Sequence, residues 1–257
     1  MSVWFAFWVV LSLFLFGFVV WTLYIVVRQK QAWKAFSVTH GLRYTSSALM
    51  RSPEMDGVLE GYKFSFFTSE HTAPDMRGQR KMTAVEVTLH STMPFEGGVA
   101  SHGLIPVLKG LAFKTEVKPA SDLWSAACVA GGDHRFALEA YLTPERIQIL
   151  MNLAQIPYTW MILLFKGDAM LLRLDTSSPL ETVEKLEKVR RVMRKAASVL
   201  ELHAGEAVRL RSELARMVPK EALAPAGAPV QELALEEDEI SREAPSSADG
   251  AEASAKE

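Results

Sequence analysis

The sequence predicts an α+β protein: an N-terminal transmembrane helix, a mainly antiparallel sheet with packed helices, a long C-terminal helix and a disordered tail. Three observations predict it. Residues 3–27 form an apolar run with no charged side chain before Arg28, longer than the roughly 20 residues a helix needs to cross a bilayer. From residue 57 onward, short stretches alternate apolar and polar residues between turn signals, the pattern of an antiparallel sheet. After Val218 the chain is rich in Pro, Ala, Ser and Glu and offers too little apolar surface to fold. The predicted organisation is a transmembrane helix at 3–27, a juxtamembrane helix at 28–41, an α+β domain at 42–204, a helical extension at 205–218 and an acidic tail at 219–257.

A cleaved signal peptide opens with basic residues and ends its shorter apolar region at small ones. Here the first residues, Met1-Ser2-Val3-Trp4, carry no Lys or Arg, and the run ends in Leu23-Tyr24-Ile25-Val26-Val27. Trp4 and Trp8 near one end, with Trp21, Tyr24 and Trp33 near the other, match interfacial belts. Arg28, Lys30 and Lys34 flank the span on its C-terminal side. The positive-inside rule therefore predicts a single-pass protein with its N-terminus outside and the domain in the cytoplasm.

With 28 basic and 30 acidic residues the net charge is −2, which gives no reason to expect nucleic acid as a partner. The one cysteine, Cys128, excludes an intramolecular disulfide and reads as a buried thiol.

Residues 29–40 continue helical, with Ala32, Trp33 and Phe36 on one side and Gly41 as C-cap. Ser52-Pro53-Glu54 marks a turn. Two strands meet near Glu60-Gly61, with Tyr62, Phe64 and Phe66 on one face. Residues 68–81 are polar and predict an exposed loop, whereas Val85, Val87 and Leu89 alternate with Glu86, Thr88 and His90 as a half-buried strand. Residues 93–110, rich in Gly and Pro, predict an irregular loop; residues 112–118 alternate again. Gly131-Gly132-Asp133 signals a turn, followed by a strand at 136–142.

Thr143-Pro144-Glu145 predicts a helix start, and Ser178-Pro179-Leu180-Glu181 predicts another as a capping box. The stretches 158–165 and 169–174 form a hairpin about Lys166-Gly167-Asp168. In the last helix, Leu186, Met193, Leu200, Ala207 and Leu214 recur every seven residues, with Val189, Ala196, His203, Leu210 and Met217 three further on. That heptad series predicts packing on the sheet in its first half and an extension beyond Gly205, with Leu200, Leu210 and Leu214 as the candidate self-association residues. Its opposite face carries Lys185, Lys188, Arg190, Arg191, Arg194 and Lys195 among Glu181, Glu184 and Glu187, read as a solvated strip of paired charges such as Glu184 with Lys188, with contact to anionic lipids as the alternative.

No phosphate-binding loop, dinucleotide fingerprint, paired-cysteine motif or nucleophile elbow occurs, and no cofactor or metal is expected. His102, in the 93–110 loop, and Asp133 with His134, in the 131–134 turn, are the candidate catalytic residues, because loops on a rigid scaffold carry function. A site built from them requires all three to converge.

The layout of one N-terminal span, Gly131-Gly132-Asp133 with Phe136, Leu142-Thr143-Pro144-Glu145-Arg146 opening a helix, and a hairpin before the final helix resembles uncharacterised bacterial membrane-anchored proteins, families described as domains of unknown function. The resemblance covers about residues 31–203, implies an inner-membrane setting and carries over no catalytic residue. The expected function is a membrane-anchored interaction or scaffold protein, with a protein partner or a second copy of itself. The alternative is a membrane-proximal enzyme or small-ligand-binding domain using the 93–110 loop and the 131–134 turn.

Overall fold

The computed structural model describes residues 3–46, 52–72 and 79–217; the acidic tail lies outside them. Helix α1 runs unbroken from Val3 to His40, so the expected boundary after residue 27 is not a break in the backbone. It is a change of environment. The apolar stretch is exposed, while Gln29, Ala32, Trp33, Phe36 and Ser37 are buried. Gly41 ends the helix at φ +67°, a left-handed geometry that costs glycine little, and the Leu42 amide returns to the Ser37 carbonyl at 2.8 Å.

Nine strands follow: β1 (Arg43–Thr45), β2 (Glu54–Leu59), β3 (Tyr62–Thr72), β4 (Gln79–Leu89), β5 (Gly97–Ser101), β6 (Thr115–Val117), β7 (Cys128–Gly132), β8 (Thr159–Lys166) and β9 (Ala169–Thr176). They form one sheet in the order β1-β2-β3-β4-β9-β8-β5-β7-β6, with every described pairing antiparallel. The helices are α2 (Ile105–Gly110), α3 (Arg135–Tyr141), α4 (Pro144–Ala154), α5 (Val183–Leu200) and α6 (Glu206–Met217). The end of α1 and helices α3 to α6 share one core with Phe64, Phe66, Val85, Val87, Val99, Leu163, Phe165 and Leu172 of the sheet. A smaller cluster on the other side joins Leu104 and Leu108 to Ala100 and Ile162.

Several expectations are corrected. Much of the polar stretch 68–81 belongs to β3 and β4, paired from Thr68↔Thr83 to Thr72↔Gln79; residues 73–78 lie outside the described set. The 93–110 stretch is not an irregular loop. It contains the fully buried strand β5, a 3₁₀ turn at His102–Leu104 and α2. A Cβ on Gly98 would lie 2.4 Å from the Leu163 carbonyl oxygen, so this glycine marks a close approach of strands rather than a turn. Gly131 and Gly132 likewise lie within β7.

Residues 136–142 are helical, not extended: α3 buries Ala137, Leu138 and Tyr141 along one side and pairs Arg135 with Glu139 one turn apart at 2.9 Å. The N-cap of α5 is Thr182, whose side chain accepts from the Lys185 amide at 3.3 Å, not Ser178. Leu180 is the reason. Its side chain is buried, its φ is +49° and its carbonyl accepts from the Trp33 indole at 3.2 Å, which holds the chain out of the helix until Thr182.

The long last helix is two helices. Tyr141 donates its hydroxyl to the Leu200 carbonyl at 2.8 Å where α5 ends, and α6 packs back beside α3. Leu200 and Leu210 are fully buried in this chain's own core, and Leu214 packs partly buried against it. These three residues therefore form no exposed coiled-coil seam. The charged strip of α5 is paired as expected in part: Lys185 with Glu181, Arg190 with Glu187 and Glu60, and Arg194 with Glu60.

Candidate functional site

Strand parity decides what the side of the sheet turned away from the main core displays. Phe64 and Phe66 enter the helical core, so Ser65, Phe67, Ser69 and His71 face the other way. The register sets His71 opposite Arg80, Ala84 opposite Asp175 and Glu86 opposite Arg173, and Trp160 opposite Asp175. Side chains from four strands thus meet on one face.

Asp175 is completely buried at the centre. It accepts from Ser69 Oγ at 3.0 Å, from Arg173 Nε at 2.7 Å and Nη2 at 2.8 Å, and lies 2.5 Å from His71 Nε2. Glu86 extends the network to Arg173 at 3.3 Å, and the Arg173 guanidinium stacks over Phe67 at 5.3 Å. Burial pushes the Glu86 carboxyl above its ordinary range, with Arg173 opposing the shift. Burial also works against the Arg173 charge, but Asp175 and Glu86 hold its pKa above the usual value.

Ser69, His71 and Asp175 are the residue types of a hydrolase triad. Their geometry is not one. A relay needs the carboxylate on one imidazole nitrogen and the hydroxyl on the other. Here both Ser69 Oγ (3.0 Å) and Asp175 Oδ2 approach the same nitrogen, Nε2, and Ser69 is buried with its hydroxyl also bonded to the carboxylate. The cluster is a satisfied polar network that fixes β3, β4 and β9.

Beside it opens a cleft of about 460 Å³ lined by Arg80, His102, Ser125, Tyr158, Thr159 and Trp160, among others. Trp160 forms one wall. Its ring lies against Gly103, where a Cβ would come within 2.5 Å; His71 meets it edge-on at 5.0 Å and Arg80 lies over it at 5.5 Å. His102 and Tyr158 adopt φ +49° and +60°, a region that costs a non-glycine residue of order 1–3 kcal/mol. Backbone bonds hold both: His102 N–H to Ala127 O at 3.2 Å, and Ser177 N–H to Tyr158 O at 3.1 Å.

The predicted catalytic trio does not converge. His102 stands at the Ala127 end of the β5–β7 pair, whereas Asp133 donates its amide to Glu96 at the other end (3.0 Å). At about 3.4 Å per residue the two ends are roughly 20 Å apart. His134, exposed, precedes the first turn of α3. Among the described residues no group of three His, Cys, Asp or Glu side chains is arranged to hold a metal ion. Burial pushes the Cys128 thiol up to about 11, which makes it a packing residue rather than a nucleophile.

A larger crevice, about 670 Å³, borders Arg146 and Glu206. Arg146 is buried and donates to the carbonyls of Tyr141 (3.0 Å), Val199 (3.2 Å) and Glu201 (2.6 Å) and to both carboxylate oxygens of Glu206 (2.5 and 2.8 Å). With its donors committed internally, it is a clamp on the α5–α6 junction.

Sequence reasoning passed over Ser69, His71, Arg80, Arg173 and Asp175. A signal was present. In β9, Arg173 and Asp175 alternate with Leu172 and Leu174, and polar residues at that spacing in a strand flanked on both sides must be partnered across the sheet.

No protein-family model matches the sequence, and no curated protein does. Among solved structures, the crystal structure of the mycobacterial trehalose monomycolate transport factor A is similar, with 11% identity and a TM-score of 0.40 over 67% of this chain and 94% of that one. A likeness of this degree assigns neither a family nor a function.

Proposed function

We propose that this chain is a single-pass membrane-anchored binding or scaffold protein whose folded domain works at the cytoplasmic face of an inner membrane. The observation that carries the reading is α1: an 18-residue apolar window of one unbroken helix has no share of its surface buried, while Trp33 and Phe36 of the same helix are fully buried in the domain core. A removable leader has no reason to end as core; an anchor that holds its domain at a fixed height and angle does. The basic residues Arg28, Lys30 and Lys34 orient the domain inward. Binding is favoured over catalysis because the buried Ser69–His71–Asp175 network lacks a relay and His102 is far from Asp133.

The test is alkaline carbonate extraction with protease accessibility of intact and opened cells. The protein is expected to stay in the membrane pellet and its domain to become digestible only after opening. Leu13→Arg, which puts a charge in the span at a cost of about 3 kcal/mol, is expected to reduce membrane retention. Extraction by carbonate, or digestion in intact cells, would overturn the anchor or its orientation respectively. In-cell crosslinking then separates a recurrent partner from self-association.

A further inference from the structure

We propose that the cleft between the His102 turn and the α4–β8 loop binds a small aromatic anion: a flat ring carrying a carboxylate or phosphate. The inference does not depend on the membrane anchor. It rests on the cleft bringing two aromatic side chains beside one charge that no carboxylate among the described residues pairs with.

The charge is Arg80. Its exposed guanidinium lies over Trp160, and among the described residues no carboxylate is within ion-pairing distance of it. Arg43, Arg135, Arg146, Arg173, Arg190 and Arg194 each have one. The nearby acid, Asp175, is paired with Arg173 rather than with Arg80, and is hydrogen-bonded by Ser69 and His71.

The ring surfaces are Trp160 and Tyr158. Trp160 is backed by Gly103, where any side chain would collide with the indole, so one side of the ring is braced and the other is left to Arg80. Tyr158 is 77% exposed although its backbone is held in a left-handed conformation by Ser177 and by the turn that Thr159 closes on Ile156 (2.8 Å). A bulky side chain in that conformation persists only where the surroundings enforce it, and such strain gathers at ligand sites. His102, the second strained residue, brings its Nε2 to 3.4 Å from the Ala154 carbonyl. A ring laid on the exposed Tyr158, beside the indole that Arg80 covers, would carry its anionic group to Arg80, where a guanidinium gives a charge-assisted, paired hydrogen bond.

The experiment is titration of the full chain in lipid nanodiscs with phenyl phosphate and benzoate, followed by calorimetry and by saturation-transfer NMR of the probe, beside phenol and inorganic phosphate as the two halves. Saturable binding of at least one aromatic anion, at least tenfold tighter than either half, is expected. Arg80→Ala should weaken that binding about tenfold or more while leaving phenol unaffected, and Gly103→Ala, by displacing the indole, should weaken every ring-bearing probe. Arg80 is exposed, so its variant keeps the fold whatever becomes of the Gly103 variant, whose thermal melt is measured alongside. No saturable binding by either aromatic anion, or binding unchanged in Arg80→Ala, overturns the proposal.

Discussion

Removing the Arg146 side chain by Arg146→Ala should release the C-terminal helix. The guanidinium makes one bidentate ion pair with Glu206 and donates to three carbonyls around the end of α5, and it lies 4.3 Å over the Tyr141 ring. Breaking a buried ion pair by deleting one partner costs about 3–5 kcal/mol. The adjoining crevice admits water to the freed carbonyls and to Glu206, so the expected loss is at the lower end, about 3 kcal/mol. Arg146→Lys should recover less than half of it, because an ammonium cannot serve a carboxylate and three carbonyls arranged around a planar fork. Urea unfolding followed by tryptophan fluorescence gives the global value. Limited trypsin digestion gives the local one, since cleavage after Arg209 or Arg211 should accelerate in the variant. A loss below about 1 kcal/mol with unchanged digestion would refute the clamp. The pair Arg146→Ala and Glu206→Gln should be strongly non-additive, each alone leaving the other residue without its ion-pair partner.

Glu206 makes the clamp pH-dependent. Its hydrogen bond to Arg146 holds its carboxyl below the usual range, so the stability it contributes is present above the unfolded value of about 4.3 and is lost as pH falls through the lower folded value; Glu206→Gln should flatten that part of the acid-unfolding curve. Gly98→Ala sets a methyl against the Leu163 backbone and should cost at least about 3 kcal/mol, read as a lowered urea midpoint. Leu210→Gln should cost about 3 kcal/mol of stability without changing the sedimenting mass, because the side chain is core rather than an oligomer seam. Native Cys128 should alkylate at pH 8 about 10²-fold more slowly than in urea, since a thiol at about 11 is almost wholly protonated there.

How much of this was legible without coordinates depended on whether the signal was local. The apolar helix, its entry into the domain through Ala32, Trp33 and Phe36, the hairpin at Glu60-Gly61, the hairpin at Gly167 and the Thr143 cap are all set by residues within a turn of one another, and each appears at its predicted place. The misreadings share a cause. Gly97, Gly98, Gly131 and Gly132 look like turns in sequence and are strand residues; at Gly97, Gly98 and Gly132 the need for a small side chain comes from Phe165, Leu163 and Glu96 across the sheet. The α5 start moved to Thr182 because Trp33, far away in sequence, holds Leu180.

The candidate site is the extreme case. Sequence by itself determined that the chain has a bilayer-length apolar helix joined to an antiparallel α+β domain, since hydropathy and period are properties of consecutive residues. Only the tertiary structure decided which polar residues meet: β9 lies between β4 and β8, so Arg173 and Asp175 reach Glu86, Ser69, His71 and Trp160. His102 and Asp133 stay apart because the antiparallel register puts them at opposite ends of the β5–β7 pair. Register in a sheet assembled from distant segments follows from the packing of the whole face, and no single stretch contains it.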